Sequence, residues 1–139
     1  MTTLEILRRA REHISDPAMW HKGSLFKGGD DGPCCAWGAV LWVDGETSYA
    51  FSPVGDALCS ALPLDWARSP LGLYNDAETT THEDILALFD RAIQAEREKA
   101  VTWTAWQGGC WEARRGSYAG LSTTREMALA VLETGEQRA

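Results

Sequence analysis

Apolar residues in the first part of the chain recur with the period of an α-helix. A first helix is predicted from Thr2 or Thr3, because Thr2 and Glu5 have capping-box spacing, and Asp16-Pro17 stops it. A second helix is predicted from Cys34 to Val43; it is apolar nearly all round, which is typical of a central buried element. The segment between them is a predicted loop with glycine turns. The apolar face of the first helix consists of Leu4, Leu7, Ala10 and Ile14.

Two further helices are predicted before residue 100. Ser52-Pro53 has the pattern of an N-cap followed by proline at the first helical position, and this short helix ends near Pro63. A loop with Trp66, Pro70 and Tyr74-Asn75-Asp76 follows. Thr80 and Glu83 form a second capping-box pair, which predicts a long helix to about Lys99. Its buried stripe is predicted to contain Ile85, Leu88 or Phe89, Ala92 and Ile93.

At Val101 the spacing at which apolar residues recur changes from the 3.6 residues of a helix to the 2 residues of a strand. VTWTAW and CWEARR alternate around a turn at Gln107-Gly108-Gly109, which predicts a β-hairpin, and a short third strand is possible through Tyr118 and Leu121. Thr123 and Glu126 then cap a last helix that Gly135 closes. The predicted fold is therefore α+β: about four helices, then a β-hairpin or three-stranded antiparallel sheet, and a C-terminal helix.

Charge divides the chain at the same place. Of its 139 residues, positions 1–100 hold 9 Lys/Arg and 16 Asp/Glu, whereas positions 101–139 hold four of each. We expect an acidic helical domain at 1–100 and a hairpin-plus-helix domain at 101–139 that packs on it. The distribution argues against a nucleic-acid partner, which needs a basic face to neutralise phosphates. It allows a basic protein partner.

The four cysteines predict an intracellular protein. Cys34 and Cys35 are neighbours, which rarely bridge each other, and the sequence has no CxxC pair. The N-terminus has the pattern of an amphipathic helix rather than of a signal peptide, and no apolar run reaches membrane length. A cytoplasmic location without membrane contact is expected.

Three stretches carry a resemblance to a known type of protein. They are Cys35-Ala36-Trp37-Gly38-Ala39-Val40, Tyr74-Asn75-Asp76 and Thr81-His82-Glu83-Asp84-Ile85-Leu86. Residues 1–100 thereby resemble a family of uncharacterised short helical proteins from bacteria and their phages, with Cys-Ala-Leu-Gly-Ala-Leu and Trp-Asn-Asp motifs. Here tryptophan and valine replace the two leucines, and Tyr74 replaces the tryptophan. The resemblance implies a helical fold and no known activity, with the motif's Asn and Asp carried over to Asn75 and Asp76.

The C-terminal segment resembles a double-stranded-RNA-binding domain in the order of its elements. Such domains bind phosphates through lysines at the start of the last helix. This chain has Thr123, Thr124, Arg125 and Glu126 there. A single arginine does not replace a basic cluster, because affinity depends on the number of phosphates neutralised. An RNA-binding module remains an alternative.

Cys34 and Cys35 suggest a second alternative, a thiol-dependent enzyme. A helix N-terminus lowers a thiol pKa, but a nucleophile also needs a base, and among the histidines only His21 precedes the pair closely enough to fold back. A structural zinc site formed by Cys34, Cys35, His13 and His21 is also disfavoured. Such sites space their ligands by about two to four residues, whereas these two thiolates are adjacent. No catalytic residue, metal site or cofactor is predicted. Asn75 and Asp76 are interpreted as turn-forming residues rather than ligands for a substrate hydroxyl.

The rings of the hairpin are the best functional candidates. Side chains alternate between the two faces of a strand, so Trp103 and Trp106 of the first strand are predicted to lie on opposite faces of the hairpin. Only one face of the hairpin packs on the last helix, through Ala128, Leu129 and Leu132. The other ring-bearing face needs a cover: the helical part, a second copy or another protein. We therefore predict a non-enzymatic protein-interaction module of bacterial or phage type, such as a phage accessory protein or a host-defence inhibitor. Its predicted protein-binding residues are Trp103, Trp106, Trp111 and Tyr118, with Arg114 and Arg115 at the rim.

Overall fold

A computed structural model describes residues 1–29, 31–45, 52–99, 102–106, 109–115 and 118–138. For residues 102, 103, 106, 118, 137 and 138 it describes the backbone alone. The chain divides into two compact units, Met1–Glu96 and Arg97–Ala139. How the second part packs on the first stays a prediction.

The first unit is helical. Its helices are α1 (Thr3–His13), α2 (Ala36–Asp44), α3 (Pro53–Ser60), α4 (Leu71–Asp76) and α5 (His82–Lys99), whose last turn belongs to the second unit. Short 3-10 helices span Pro17–Met19 and Leu64–Trp66. The core is formed by large side chains from most of these elements: Leu7, Ile14, Leu58, Leu71, Ile85, Leu88 and Phe89.

Side-chain caps fix where two of the predicted helices begin. Thr2 Oγ1 accepts a hydrogen bond from Glu5 N at 3.2 Å, and Glu5 Oε2 accepts one from Thr2 N at 3.0 Å, so the predicted capping box is confirmed. Ser52 Oγ accepts from Gly55 N at 3.0 Å, which confirms the start of α3.

The predicted start of α5 is wrong by one residue. Thr81 Oγ1 accepts from Asp84 N at 3.2 Å, and Asp84 Oδ2 accepts from Thr81 N at 2.9 Å. The capping pair is therefore Thr81 and Asp84 rather than Thr80 and Glu83. The side chain of Thr80 is buried, whereas Thr81 is exposed at the helix start.

Two further features of the first unit differ from the expectation. The predicted loop around Tyr74 contains α4, because Leu71 and Tyr74, three residues apart, both enter the core. Helix α2 buries Ala36, Gly38, Ala39 and Val40 but leaves Trp42 47% exposed, so only its first half is central.

The second unit is an antiparallel sheet with a helix on one face. Strands β1 (Thr102–Trp106), β2 (Cys110–Arg115) and β3 (Tyr118–Ser122) lie in the order β1-β2-β3 and precede α6 (Arg125–Arg138). The third strand and the α+β class are thereby confirmed. Of the predicted turn, Gly109 alone is described, with a left-handed φ of 82°. A small core joins sheet and helix as predicted: Ala113, Ala128, Leu129 and Leu132, with Trp111 partly buried against them.

Both predicted ends of α6 are corrected. Thr124 Oγ1, not Thr123, accepts from a helix amide, Met127 N at 3.2 Å. The helix also continues through Gly135 to Arg138. A glycine inside a helix costs about 1 kcal/mol relative to alanine. The following residue, Glu136, accepts from Arg115 Nη1 at 3.0 Å, and this ion pair helps to hold the last turn in place.

Candidate protein-binding surface

The three-stranded sheet has one covered face and one open face. Register places Ala113 between Trp103 and Gly120, and Ala113 is fully buried under α6. Because side chains alternate along a strand, the neighbouring positions face the other way. Five of these form what we call the open sheet face: Thr104, Glu112, Arg114, Ala119 and Leu121.

A glycine fixes which face is covered. A Cβ placed on Gly120 would lie 2.1 Å from the carbonyl oxygen of Ala128 and 2.3 Å from the amide nitrogen of Leu132. No side chain fits at such distances, so the absence of one lets the backbone of α6 lie directly on β3. The open sheet face therefore points away from α6.

The open sheet face combines exposed apolar residues on β3 with a charged pair on β2. Leu121 on β3 is 55% exposed and pairs in register with Glu112 on β2, which in turn pairs with Thr104 on β1. Ala119, two residues before Leu121 on β3, is exposed on the same face. Arg114 donates to Glu112 Oε1 from Nε at 3.2 Å and from Nη2 at 3.1 Å. The face therefore presents an exposed leucine beside a carboxylate that is already paired.

The six predicted binding residues do not form one surface. Arg114 lies on the open sheet face with its side chain 51% exposed. Trp111 packs against the core under α6, and the guanidinium of Arg125 lies 5.2 Å from the centre of its ring. The side chains of Trp103, Trp106 and Tyr118 lie outside the described residues; their backbones pair with Ala113, Cys110 and Arg115.

Arg115 is tied into the unit rather than presented at a rim. It donates to Glu136 on α6 at 3.0 Å and to the backbone carbonyl of Arg97 at the end of α5. Arg97 Nε in turn donates to Glu133 Oε1 at 2.7 Å. These contacts connect the last turn of α5, β2 and α6.

Leu121 is the residue of this surface that the sequence reasoning missed. It was predicted only as a position on a possible third strand. The available signal was alternation: once Ala113 and Gly120 are assigned to the helix side, Leu121 is a large apolar residue on the opposite side. The assignment itself depends on the approach of α6.

Asn75, a motif residue of the first unit, has a fully used side-chain amide. It is 1% exposed, and its Oδ1 accepts from Trp20 Nε1 at 2.8 Å and from Ala36 N at 3.1 Å. Its Nδ2 donates to the carbonyl of His21 at 3.2 Å and to Asp76 Oδ1 at 3.0 Å. Because both ends of the amide are occupied, Asn75 joins the two motif stretches structurally and offers no group to a substrate.

The cysteine pair at the start of α2 is buried. Burial raises the pKa of Cys34 to about 12, and the neighbouring Cys35 contributes to the same shift. Burial also raises the pKa of Cys35, against the opposing effect of backbone hydrogen bonds from Gly38 and Trp37. The helix N-terminus was expected to lower a thiol pKa, but desolvation outweighs it. The geometry gives no support to a thiolate nucleophile.

The histidines near these cysteines have other contacts. His21 Nε2 lies 3.2 Å from Ser24 Oγ, and the ring of His13 stacks on Trp42 with centroids 3.9 Å apart. Burial lowers the pKa of His13, partly offset by Asp31. In the part of the chain that the structure describes, no three His, Cys, Asp or Glu side chains are placed to hold a metal ion together. No described helix combines the length and apolar character needed to cross a membrane.

Among the described residues, five α-helices followed by a three-stranded antiparallel sheet and a closing helix define a small α+β protein. Within that class the chain belongs to DUF6197, a family of unknown function whose model matches residues 1–95. The expectation of an uncharacterised family is thereby confirmed, and the match ends one residue before the first unit does. No curated protein and no solved structure matches the chain.

Proposed function

We propose that the protein is a non-enzymatic interaction module that binds a partner protein on its open sheet face. The observation that carries this proposal is the 55% exposure of Leu121 on that face, opposite the face that α6 covers. Single exposed leucines are ordinary on protein surfaces. This one differs because it stands on a sheet, with exposed Ala119 two residues before it on β3 and exposed Thr104 in the same cross-strand row beyond Glu112.

The polar residues of the face support the same function. The Glu112 side chain is only 15% exposed and already accepts both hydrogen bonds from Arg114. A partner that covers Leu121 therefore does not strip water from an unpaired carboxylate, which would cost binding free energy. Arg114 remains half exposed at the edge of the face, where it can make a polar contact.

Charge in the first unit favours a basic partner. Residues 1–96 contain 7 Lys/Arg and 15 Asp/Glu, while residues 97–139 contain 6 and 5. The acidic excess attracts a basic protein over several ångströms and raises its association rate, whereas the neutral second unit supplies the contact. A bacterial or phage role, as an accessory protein or an inhibitor of a host defence, fits a module of this kind.

Leu121→Asp tests the proposal in a capture experiment from an extract of the native host. A carboxylate buried in an interface without a partner is strongly unfavourable, so we expect the variant to capture at least tenfold less partner protein than the wild type. Met127→Asp is the matched control, because Met127 is 57% exposed on α6 and also apolar. It should capture as the wild type does. Equal capture by both variants would exclude the open sheet face.

Trp111→Ala is less suitable for this purpose. Trp111 packs against the core of the second unit and beneath Arg125, so its removal disturbs the fold together with any interface. Leu121 and Met127 both lie outside that core, and circular dichroism should show the same helix and strand content in both variants.

A further inference from the structure

Residues 63–70, which connect α3 to α4, form what we call the 63–70 loop, and its backbone is hydrogen-bonded to itself. Three backbone hydrogen bonds of 2.8 to 3.1 Å follow one another along it, from the amides of Trp66, Ala67 and Ser69 to the carbonyls three residues earlier. A proline at each end of the loop fixes φ there. The loop therefore consists of consecutive turns that hold one another in place.

Contacts with the rest of the first unit anchor this loop before, within and after its turns. Arg91 Nε of α5 donates to the carbonyl of Ala61, two residues before the loop, at 2.9 Å. The ring of Trp66 meets that of Tyr74 edge to face, with centroids 5.5 Å apart, and Leu71, directly after the loop, is 1% exposed. A loop that is fixed in advance loses less conformational entropy when it binds.

One residue of the loop has a strained backbone. Ala67, with φ −54° and ψ 132°, and Arg68, with φ 69°, occupy the two central positions of a type II turn. The second position favours glycine, because a side chain at positive φ crowds the backbone. Among the described residues, Arg68 is the only one other than glycine with positive φ. Strain of this kind is characteristic of ligand-binding segments, and it directs attention to what the arginine side chain does.

The loop exposes one apolar and one cationic side chain. Leu64 is 94% exposed, more than any other large apolar residue that the structure describes. Arg68 is exposed as well, and in the described part of the chain its guanidinium makes no ion pair and no hydrogen bond. By contrast, Arg11 is paired with Asp90 at 2.6 Å. The loop thus offers an apolar contact and a free guanidinium, which binds a carboxylate through two parallel hydrogen bonds.

We propose that the 63–70 loop inserts into a pocket of a partner protein, where Leu64 fills an apolar site and Arg68 pairs with a carboxylate at the edge of that site. Apolar anchors in pockets and paired arginines are the contacts that dominate protein interfaces. The loop belongs to the first unit, whereas the open sheet face belongs to the second. The inference therefore goes beyond the proposed function and does not rest on it.

Charge selects a protein carboxylate as the group that meets Arg68. The first unit holds 7 Lys/Arg and 15 Asp/Glu, so it repels a nucleic acid, whose negative charges repeat along the whole chain. It also repels a second copy of itself, which has the same acidic excess. A single carboxylate in neutral or basic surroundings gains the pair with Arg68 without this repulsion. The exposure of Leu64 adds that these surroundings include an apolar pocket.

Site-specific photocrosslinking at position 64 tests the loop in the native host. A diazirine-bearing aliphatic amino acid replaces Leu64 in the full chain, and the cells are irradiated. We expect one covalent adduct with another protein, and peptide mass spectrometry should place the crosslink within a few residues of an Asp or Glu. Arg68→Gln in the same chain should lower the adduct yield at least tenfold. Arg9→Gln, the same exchange at an exposed position of α1, should leave the yield unchanged.

Arg68→Gly separates binding from folding. Glycine adopts positive φ without strain, so the melting temperature should rise by about 2 °C, while the adduct from position 64 should be lost as in Arg68→Gln. A melting temperature that falls would assign the arginine to the fold of the loop and overturn its role in binding. An adduct that persists in both Arg68 variants would overturn that role as well.

The identity of the adduct decides between the proposed partner and other occupants. No adduct from position 64, an adduct that nuclease removes, or an adduct at twice the 15.3 kDa of the chain would each overturn the proposal. The open sheet face is tested independently. Capture that Leu121→Asp abolishes, in a protein that forms no adduct from position 64, would leave the proposed function standing and refute the role of the 63–70 loop.

Discussion

Asn75 shows how one side chain holds several segments of the first unit together. Its amide accepts from the indole of Trp20 and from the backbone of Ala36 at the start of α2, and donates to the carbonyl of His21. In the sequence, Asn75-Asp76 has the pattern of a local turn. The contacts that bury Asn75 span 39 to 55 residues, and no local pattern contains that information.

Asn75→Ala should therefore destabilise the protein strongly. It leaves the Trp20 indole N–H and the Ala36 amide without a partner, at about 1–3 kcal/mol each. We expect a loss of about 3 kcal/mol or more in the free energy of unfolding, measured by urea denaturation with tryptophan fluorescence. Asp76→Ala is the comparison variant and should cost only about 1 kcal/mol: it removes the acceptor of Gly23 N and of one Asn75 Nδ2 hydrogen bond, but Asp76 is exposed and water replaces it. Equal losses from the two variants would refute the central role of Asn75.

Thiol chemistry at Cys34 and Cys35 is governed by burial. With a pKa of about 12, Cys34 is thiolate in roughly one molecule in 100,000 at pH 7. The raised pKa also means that the thiolate fraction grows only at strongly alkaline pH.

Iodoacetamide at pH 7 should modify both cysteines at least 100-fold more slowly in the folded protein than in urea. Peptide mass spectrometry resolves the sites, and exposed Cys59 is the internal control. It should react faster than Cys34 and Cys35 in the folded chain, although burial of its thiol and the nearby Asp56 raise its pKa too. Labelling of Cys34 or Cys35 as fast as in the unfolded chain would restore the thiol-enzyme alternative.

At the scale of elements, local capping patterns predict some helix starts correctly and others one residue too early. The capping residues Thr2 and Ser52 follow from the sequence, and the structure confirms both: Thr2 caps with its predicted partner Glu5, and Ser52 accepts from Gly55 N. The starts of α5 and α6 were each predicted one residue early. In both places two threonines are adjacent, Thr80-Thr81 and Thr123-Thr124, and either one satisfies the local pattern. Packing of the whole helix selects between them.

The contact of β3 with α6 is the element-level feature that creates the open sheet face. Gly120→Ala places a Cβ 2.1 Å from the Ala128 carbonyl oxygen, so α6 must move away. We expect a loss of about 3 kcal/mol in stability, at the upper end of the range for overpacking. Gly135→Ala meets nothing within 4 Å and should stabilise α6 by up to about 1 kcal/mol.

Thermal unfolding followed by far-ultraviolet circular dichroism compares these two alanine variants directly. Hydrogen exchange assigns the change to a unit: Gly120→Ala should lose protection in residues 110–138 first. A Gly120→Ala protein as stable as Gly135→Ala would show that α6 does not lie on β3 at this distance.

At the scale of the whole molecule, the change of period near residue 101 was sufficient to predict the fold class. Helical spacing before it and alternation after it correspond to the helices and the sheet that the structure contains. Helix α4 was missed because six residues are too short to show a period. The residues of the open sheet face could not be predicted from the sequence, because they depend on which face of the sheet α6 covers.

The two units also differ in what is known of their relatives. The family match covers residues 1–95, which include the Asn75 network and the buried cysteines, whereas the open sheet face belongs to residues 97–139. The part of the chain that carries the proposed binding surface is thus outside the matched region. A test of function must address this second unit directly.

Site-specific photocrosslinking is the most direct test of the open sheet face. A photoreactive phenylalanine analogue would replace Leu121 in one variant and Met127 in another, each expressed in the native host and irradiated there. We predict one covalent adduct of defined mass from position 121 and none of that mass from position 127. The same adduct from both positions, or an adduct from position 127 alone, would contradict a partner bound to the open sheet face.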